Sequence, residues 1–172
     1  MHTIKIHKAT PADLQTLQTI SILTFQETFA DHNTQENMQN YLSEGFSIHQ
    51  LTAELNNQHS EFYLATSGNE TIGYLKINTG PSQTELKENR ALEIERIYVL
   101  KQFHGKNIGQ QLYHKALQIA QQHHAEYIWL GVWEKNPRAI RFYQKNGFTA
   151  FDKHIFKLGD DEQTDIMMKL KL

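Results

Sequence analysis

The sequence predicts a mixed α/β fold in a single domain that spans residues 1–172. The chain has 172 residues and a hydrophobic fraction of 39%, enough for one well-packed core. Segments with the hydrophobic period of strands and segments with that of helices follow one another along its length. No internal repeat and no linker of biased composition divides it. Hydrophobic periodicity alone does not determine the order of the strands in the sheet.

The N-terminal half is predicted to contain one strand, three helices and a β-hairpin. Residues 3–8 alternate polar and apolar side chains, as a half-buried strand does. Thr10 is suited to cap a helix that has Pro11 at its first position and continues to Phe29. The segments TQENMQNYL and SIHQLTAEL predict two short helices, each opened by Thr or Ser. EFYLAT and TIGYLKIN predict the strands of the hairpin, because the intervening SGNE is rich in turn-forming residues.

The C-terminal half is predicted to contain four more strands and two helices. ALEIERIYV is a strand that follows the polar loop GPSQTELKENR, and the next helix covers residues 108–122. YIWLGVW is apolar throughout, which is typical of a strand buried on both faces. NPRAIRFYQKNG is a helix in which Asn136 is the N-cap, Pro137 takes the first position and Gly147 ends the last turn. FTAFDKHIFKL and TDIMMKLKL are two strands joined by an acidic turn.

Composition excludes several functional classes. The net charge is −2 and no block of basic residues occurs, so no nucleic-acid partner is expected. Cysteine is absent, which excludes disulfides, a thiolate nucleophile and a cysteine zinc site. The 10 histidines lack metal-binding spacing, so no metal is expected. No apolar stretch is long enough to span a membrane and the N-terminus lacks a signal-peptide pattern, so we expect a cytoplasmic protein with no membrane partner.

The junction VLKQFHGKNIGQQL carries a chemical signal. A strand ends here, and a helix with Gly109 in its first turn begins just after Gly105 and Lys106. The free N–H groups and the dipole of a helix N-terminus attract phosphate, and glycines let a ligand approach the backbone. Neither the P-loop motif nor G-x-G-x-x-G is present. Taken alone, the junction is equally compatible with an ordinary strand-to-helix turn.

Two motifs resemble the GCN5-related N-acetyltransferases, the GNAT family. The family pattern Arg/Gln-x-x-Gly-x-Gly/Ala aligns His104, Asn107 and Gly109 with its defined positions, and only Gly109 fits. Asparagine accepts left-handed backbone angles or can cap the helix, so the departures affect side-chain contacts more than the backbone. The later motif Asn-x-x-Ala-x-x-Phe-Tyr-x-x-x-Gly-Phe matches at every defined position from Asn136 to Phe148.

Further segments are similar to the bacterial polyamine acetyltransferases of the PaiA type: LEIERIYV, WLGVWEKN, GDDEQTDIMM and ENMQNYL. This resemblance covers nearly the whole chain. It implies the GNAT fold, an α/β structure with a mixed, mostly antiparallel central sheet of about seven strands and four or five flanking helices. It also implies an enzyme that uses acetyl-coenzyme A as co-substrate, without a metal, to acetylate a primary amine such as the polyamines spermidine and spermine. The sequence leaves the oligomeric state open, and a homodimer is compatible with it.

The resemblance implies coenzyme contacts at the strand end, the junction and the later motif. The residues are Ile97, Tyr98, Val99, His104, Gly105, Lys106, Asn107, Ile108, Gly109, Gln110, Asn136, Tyr143 and Lys145. In this assignment the backbone N–H groups of Tyr98 and Val99 bind the acetyl carbonyl, and Tyr143 protonates the departing thiolate. A phenol remains protonated at neutral pH, so Tyr143 can act as a catalytic acid.

The attacking amine must lose a proton, and ALEIERIYV supplies two carboxylates that can accept it. An alkylammonium has a pKa near that of lysine, so freeing its lone pair at pH 7 costs roughly 4 to 5 kcal/mol. Strand alternation predicts that Glu93, Glu95, Ile97 and Val99 share one face. Glu93 fits the base position of the family, and Glu95 is the second candidate. A salt bridge, for example with Arg96 of a neighbouring segment, is the alternative role for either carboxylate.

Other carboxylates are candidates for binding a cationic acceptor. They are Glu27, Asp31, Glu36 and Glu134. Each of them is also compatible with a solvated surface. Two other functions stay open at this point: acetylation of a peptide, a protein or another small amine, and non-catalytic binding of coenzyme A by a regulator.

Overall fold

The computed structural model describes residues 3–172. The strands of this part of the chain are β1 Ile4–Lys8, β2 Ser60–Ser67, β3 Glu70–Thr79, β4 Ala91–Val99, β5 Tyr127–Trp133, β6 Thr149–Leu158 and β7 Asp161–Lys171. The helices are α1 Leu14–Phe29, α2 Gln35–Gly45, α3 Ile48–Leu55, α4 Ile108–Gln122 and α5 Pro137–Lys145. The predicted fold class, with about seven strands and five helices, is confirmed. α1 begins later than predicted because Pro11–Asp13 forms a separate 3₁₀ turn.

All the strands form one sheet in the order β1-β2-β3-β4-β5-β7-β6. Neighbouring strands are antiparallel except β4 and β5, which are parallel. β4 and β5 pair only from Ala91 to Glu93 and from Tyr127 to Trp129. Both strands continue beyond these residues without pairing to each other. The sheet therefore has a central gap between the C-terminal ends of β4 and β5.

Helices cover both faces of the sheet. α4 and α5 cover one face, over a core that includes Leu112, Ala116 and Tyr143. α1, α2 and α3 cover the other face, over a core that includes Leu17 and Leu51. None of the described helices is both long enough and apolar enough to cross a membrane.

A β-bulge changes which residues of β4 share a face. The pairing register between β3 and β4 shifts at Glu95, which has no partner residue on β3. Ile97 and Val99 consequently contact the same core as Leu92, beneath α4. The prediction that Glu93 and Glu95 share one face with Ile97 and Val99 is therefore wrong, because simple alternation does not hold across a bulge.

Candidate active site

A cleft of about 1030 Å³ lies where β4 and β5 diverge. Its walls include Ile97 and Val99 of β4, Gly131 of β5, the N-terminus of α4 and one side of α5. Glu93 and Glu95 line the same space. One continuous cleft thus connects the strand-to-helix junction with the carboxylates of β4.

The junction between β4 and α4 has free backbone donors and open space beside its glycines. Gly105 has a φ of 78° and Asn107 a φ of 63°, so Asn107 adopts the left-handed conformation instead of capping α4 through its side chain. Gln111 donates its N–H to the carbonyl of Asn107, whereas no backbone acceptor is found among the described residues for the N–H groups of residues 105–110. A Cβ atom at Gly105 or Gly109 would meet no atom within 4 Å. Such a concave array of donors at a helix N-terminus fits a phosphate group.

His104 fixes the start of this junction and holds a cation beside it. Its Nε2 donates to the carbonyl oxygen of Val99 at 2.7 Å, and its Nδ1 accepts a hydrogen bond from the guanidinium of Arg138. Burial lowers the pKa of His104, and Arg138 adds to this effect although the hydrogen bond to Val99 opposes it. The neutral ring is therefore favoured. Arg138, which the sequence analysis did not include, thus contacts the histidine that occupies the Arg/Gln position of the family motif.

The remaining predicted coenzyme residues differ in what they offer a ligand. Asn136 lines the cleft and caps α5 through its Oδ1, which leaves its amide N–H groups as donors. The Gln110 side chain forms two hydrogen bonds with Asn146, so its backbone N–H is the group left for a ligand. Lys145 lines the cleft. The ammonium of Lys106 instead lies over an aromatic ring, 4.8 Å from its centroid.

Backbone groups of β4 also face the gap. Leu100 donates its N–H to the carbonyl oxygen of Ile72 in β3, and the backbone groups of successive residues in a strand point to alternate sides. The N–H groups of Ile97 and Val99 consequently face the gap, whereas that of Tyr98 faces β3. Of the two N–H groups predicted to bind the acetyl carbonyl, that of Val99 has a suitable direction. Tyr98 also lines the cleft.

Glu93 lies at the apex of the cleft, in the last residue pair that joins β4 to β5. Its exposed fraction is 3%. Its Oε2 accepts hydrogen bonds from the backbone N–H of Thr84 at 2.9 Å and from Nδ2 of Asn78 at 3.0 Å. The Thr84 hydroxyl donates to its Oε1. Burial raises the pKa of Glu93, although these hydrogen bonds oppose the shift, and a carboxyl with a raised pKa is suited to take a proton at neutral pH.

Glu95 belongs to a network of charges in which Lys76 is buried and the other members are half-buried. Its Oε2 lies 2.5 Å from Nζ of Lys76, and its Oε1 lies 3.3 Å from the guanidinium of Arg96. Glu54 contacts the same two cations. Burial opposes the charge of Glu95, but Arg96 and Lys76 outweigh it and hold the pKa of this carboxyl below its usual value. The network favours the salt-bridge role for Glu95 over that of a base.

Tyr143 lines the cleft from α5. Its exposed fraction is 7%, and its ring packs against Phe142 and Phe148. Burial alone raises the pKa of Tyr143, because no hydrogen bond from elsewhere in residues 3–172 reaches its hydroxyl. The phenol is therefore protonated, and its hydroxyl is free to donate to a ligand.

Two of the four predicted substrate carboxylates, Glu27 and Asp31, line the cleft. The carboxylate of Glu27 accepts a hydrogen bond at 2.8 Å from the backbone N–H of Lys101, so it also fixes the turn that precedes the junction. Glu36 is exposed in the first turn of α2 and does not line the cleft. Glu134 lines a separate groove of about 170 Å³.

The cleft also contains polar and aromatic side chains that the sequence analysis missed. They are Glu85, His154 and Asp165, together with Phe29, Tyr41, Trp133 and Phe156. His154 on β6 and Asp165 on β7 are paired in register, and Nε2 of His154 lies 3.7 Å from Oδ2 of Asp165. Burial raises the pKa of Asp165, and His154 opposes the shift. The available signal was Gly131 within YIWLGVW, because a glycine inside a strand often marks a close approach.

Comparisons with known proteins identify the class of this enzyme. The model of the acetyltransferase (GNAT) family matches residues 19–148. An uncharacterised N-acetyltransferase of Lactobacillus delbrueckii subsp. lactis is 37% identical over 172 residues, which are 100% of this chain and 99% of that relative. The chain belongs to the GNAT family of acetyltransferases. It is an N-acetyltransferase that takes its acetyl group from acetyl-coenzyme A.

Two further proteins extend the comparison. The spermidine N(1)-acetyltransferase of Thermoplasma acidophilum is 25% identical over 173 residues, with 98% of each chain covered. A crystal structure of PaiA N-acetyltransferase from Thermoplasma acidophilum in complex with coenzyme A has a fold similar to that of this chain. The two match with a TM-score of 0.81 over 99% of both chains, and their sequences are 24% identical. This likeness confirms the GNAT fold. No group of three or more potential metal ligands is found in the described part of the chain.

Proposed function

We propose that this enzyme acetylates polyamines, with spermidine and spermine as preferred acceptors, and that residues 1–172 act as one domain. One observation carries the proposal: a single cleft connects a cradle of backbone donors with a set of carboxylates. The donors suit the phosphates of the coenzyme, and the carboxylates suit a cationic acceptor. The Thermoplasma relative is named a spermidine N(1)-acetyltransferase, which supports the same acceptor class.

In this proposal the pyrophosphate of acetyl-coenzyme A lies against the free N–H groups of residues 105–110. Arg138 adds a full positive charge, which His104 orients toward the loop. The pantetheine arm extends into the gap between β4 and β5, where the N–H of Ile97 and the amide of Asn136 can donate to its carbonyl groups. Phosphate binding by a helix N-terminus and an arginine is the ordinary physical solution for such an anion.

Replacing Gly109 with valine is expected to raise the KM for acetyl-coenzyme A by about tenfold or more, a loss of about 1.4 kcal/mol. The added side chain would occupy the open space beside the glycine, where the proposal has phosphate. The fold should tolerate valine, since glycine is the poorer helix former. Steady-state kinetics at saturating amine would measure the change. Gln118→Val, on an exposed position of the same helix, is the matched control, and unchanged KM in a folded Gly109→Val enzyme would contradict the cradle.

The proposed chemistry is direct attack of the amine on the thioester. Glu93 takes a proton from the ammonium, directly or through a water molecule, and the nitrogen attacks the carbonyl carbon. The N–H of Val99 donates to the carbonyl oxygen, where negative charge develops. The C–S bond then breaks. The new amide nitrogen loses one proton and the departing sulfur gains one, so the step balances. The products are the N-acetylated amine and coenzyme A.

Tyr143 assists this step by donating a hydrogen bond to the departing sulfur. An ordinary thiol has a pKa of about 8.5, and burial raises the pKa of Tyr143 far above it. Full ionisation of the phenol is therefore unfavourable, so stabilisation of the developing thiolate by hydrogen bonding is its main contribution. This role is narrower than the proton donor that the sequence motif implies.

Spermidine is expected to have a higher kcat/KM than n-butylamine, because its additional ammonium groups can pair with carboxylates of the cleft. Each exposed pair contributes roughly 0.2 to 1 kcal/mol, and more in an enclosed groove. Salt near 1 M reduces the Debye length to about 3 Å and should weaken the preference. Thiol release at saturating acetyl-coenzyme A, at low and high salt, would measure it. Equal kcat/KM values for both amines would remove the polyamine assignment and leave a general amine acetyltransferase.

A further inference from the structure

Asp165 is a half-buried carboxylate in the cleft that lacks a strong cationic partner. Its side chain is 17% exposed. The carboxylates Glu54 and Glu95, which are also half-buried, each contact both Lys76 and Arg96. Among the described residues, Asp165 has only the His154 imidazole within ion-pair distance, at 3.7 Å. A carboxylate that is partly removed from water without a full positive charge beside it is costly unless a ligand supplies that charge.

The surroundings of Asp165 direct it toward the reaction centre. A Cβ atom built on Gly131 would lie 3.4 Å from Oδ2 of Asp165 and 3.2 Å from Cε1 of His154. Gly131 lies two positions beyond Trp129, the partner of Glu93 in the last β4–β5 pair. From strand geometry, the Cα atoms of Glu93 and Gly131 are roughly 8 Å apart. Asp165 and Glu93 thus line the same cleft from different strands, β7 and β4.

Aromatic side chains line the cleft near this carboxylate. Trp133 pairs with Asp165 in the register of β5 and β7. Its ring lies 5.2 Å from that of Phe29, which in turn lies 6.2 Å from that of Phe156. Methylene groups can pack on such surfaces, and alkylammonium groups are attracted to aromatic faces. A flexible chain with positive charges separated by methylenes matches this combination of walls and carboxylates.

We propose that Asp165, oriented by His154, binds a second ammonium group of the acceptor, one that is not acetylated. The contact of 3.7 Å between Nε2 of His154 and Oδ2 of Asp165 limits the positions open to this carboxylate. This inference rests on the proposed polyamine function and names the residue that would make a diamine preferable to a monoamine.

Asp165→Asn is expected to lower kcat/KM for spermidine by about tenfold, mainly through KM, with little change for n-butylamine or for the KM of acetyl-coenzyme A. The rate with n-butylamine also reports whether the variant is folded. Glu162→Gln is the matched control, because Glu162 lies on the same strand but is paired with Lys157 and 61% exposed. It should leave the preference for spermidine unchanged.

A series of α,ω-diamines of increasing length tests the subsite without mutation. A carboxylate at a fixed distance from Glu93 predicts one optimal chain length for the wild-type enzyme, and this optimum should disappear in Asp165→Asn. Two results would overturn the subsite while leaving the polyamine function in place. One is a preference for spermidine that persists in Asp165→Asn, and the other is a kcat/KM that varies smoothly with the chain length of the diamine. A wild-type enzyme with no preference for spermidine over n-butylamine would overturn both.

Discussion

Glu93→Gln is expected to lower kcat at pH 7 by about 10²- to 10⁴-fold, the usual contribution of a general base. The variant should fold, because the hydrogen bonds of the site can be kept. The glutamine carbonyl can accept from the Thr84 N–H and from Asn78, as Oε2 does now. The amide nitrogen can donate to the Thr84 hydroxyl, which rotates to accept. Single-turnover rates of acetyl transfer would separate the chemical step from product release.

The pH dependence distinguishes a base from an attractive charge. Burial raises the pKa of Glu93, so the wild-type rate should fall as the pH decreases through that raised value and the carboxylate is protonated. The variant lacks this limb and depends on the ionisation of the amine itself, with a pKa of about 10.4. The deficit of the variant should therefore shrink as the pH rises. A variant that retains the wild-type acidic limb would show that another group accepts the proton.

Glu85→Gln is the matched control for charge. Glu85 lines the same cleft and is exposed, so its substitution removes an equal charge without touching Glu93. If Glu93 acts only by attracting the acceptor, both substitutions should raise KM for spermidine and leave kcat unchanged. A selective loss of kcat in Glu93→Gln is the expected result.

Local sequence patterns predicted the features that depend on neighbouring residues. The glycines and the helix start at residues 105–109 predicted a strand-to-helix turn with free N–H groups, because positive φ angles and unpaired N–H groups at a helix start are local properties. Asn136 was correctly predicted as the cap of α5, since its Oδ1 accepts a hydrogen bond from the N–H of Ala139. Both features require information from only a few consecutive residues.

The features that sequence patterns missed depend on distant segments. The gap exists because β4 and β5 stop pairing after Glu93 and Trp129. The hydrophobic periodicity of either strand does not indicate where its pairing with the other strand ends. The bulge at Glu95 accompanies a charge network with Lys76 and Glu54, which lie on other elements. Asp165 resembled an ordinary polar position on an alternating strand. Its direction into the cleft follows from the strand order, which hydrophobic patterns do not determine.

Tyr143→Phe is expected to lower kcat by about 10²- to 10³-fold with little change in the affinity for coenzyme A. The phenol is proposed to stabilise the departing sulfur, and phenylalanine removes only that donor. The fold should be preserved, because the ring contacts with Phe142 and Phe148 remain. No hydrogen bond within the described residues is lost with the hydroxyl. Single-turnover kinetics, together with a titration of coenzyme A, would measure both quantities.

Tyr113→Phe is the matched control for this substitution. Tyr113 lies on α4, is 4% exposed and has its ring 6.0 Å from that of Phe148, yet it does not line the cleft. Loss of its hydroxyl should leave kcat unchanged, since the same aromatic cluster is modified without affecting the leaving group. Equal rates for Tyr143→Phe and the wild-type enzyme, measured where acetyl transfer limits turnover, would assign Tyr143 to core packing. Equal losses in both variants would instead point to altered packing of the cluster.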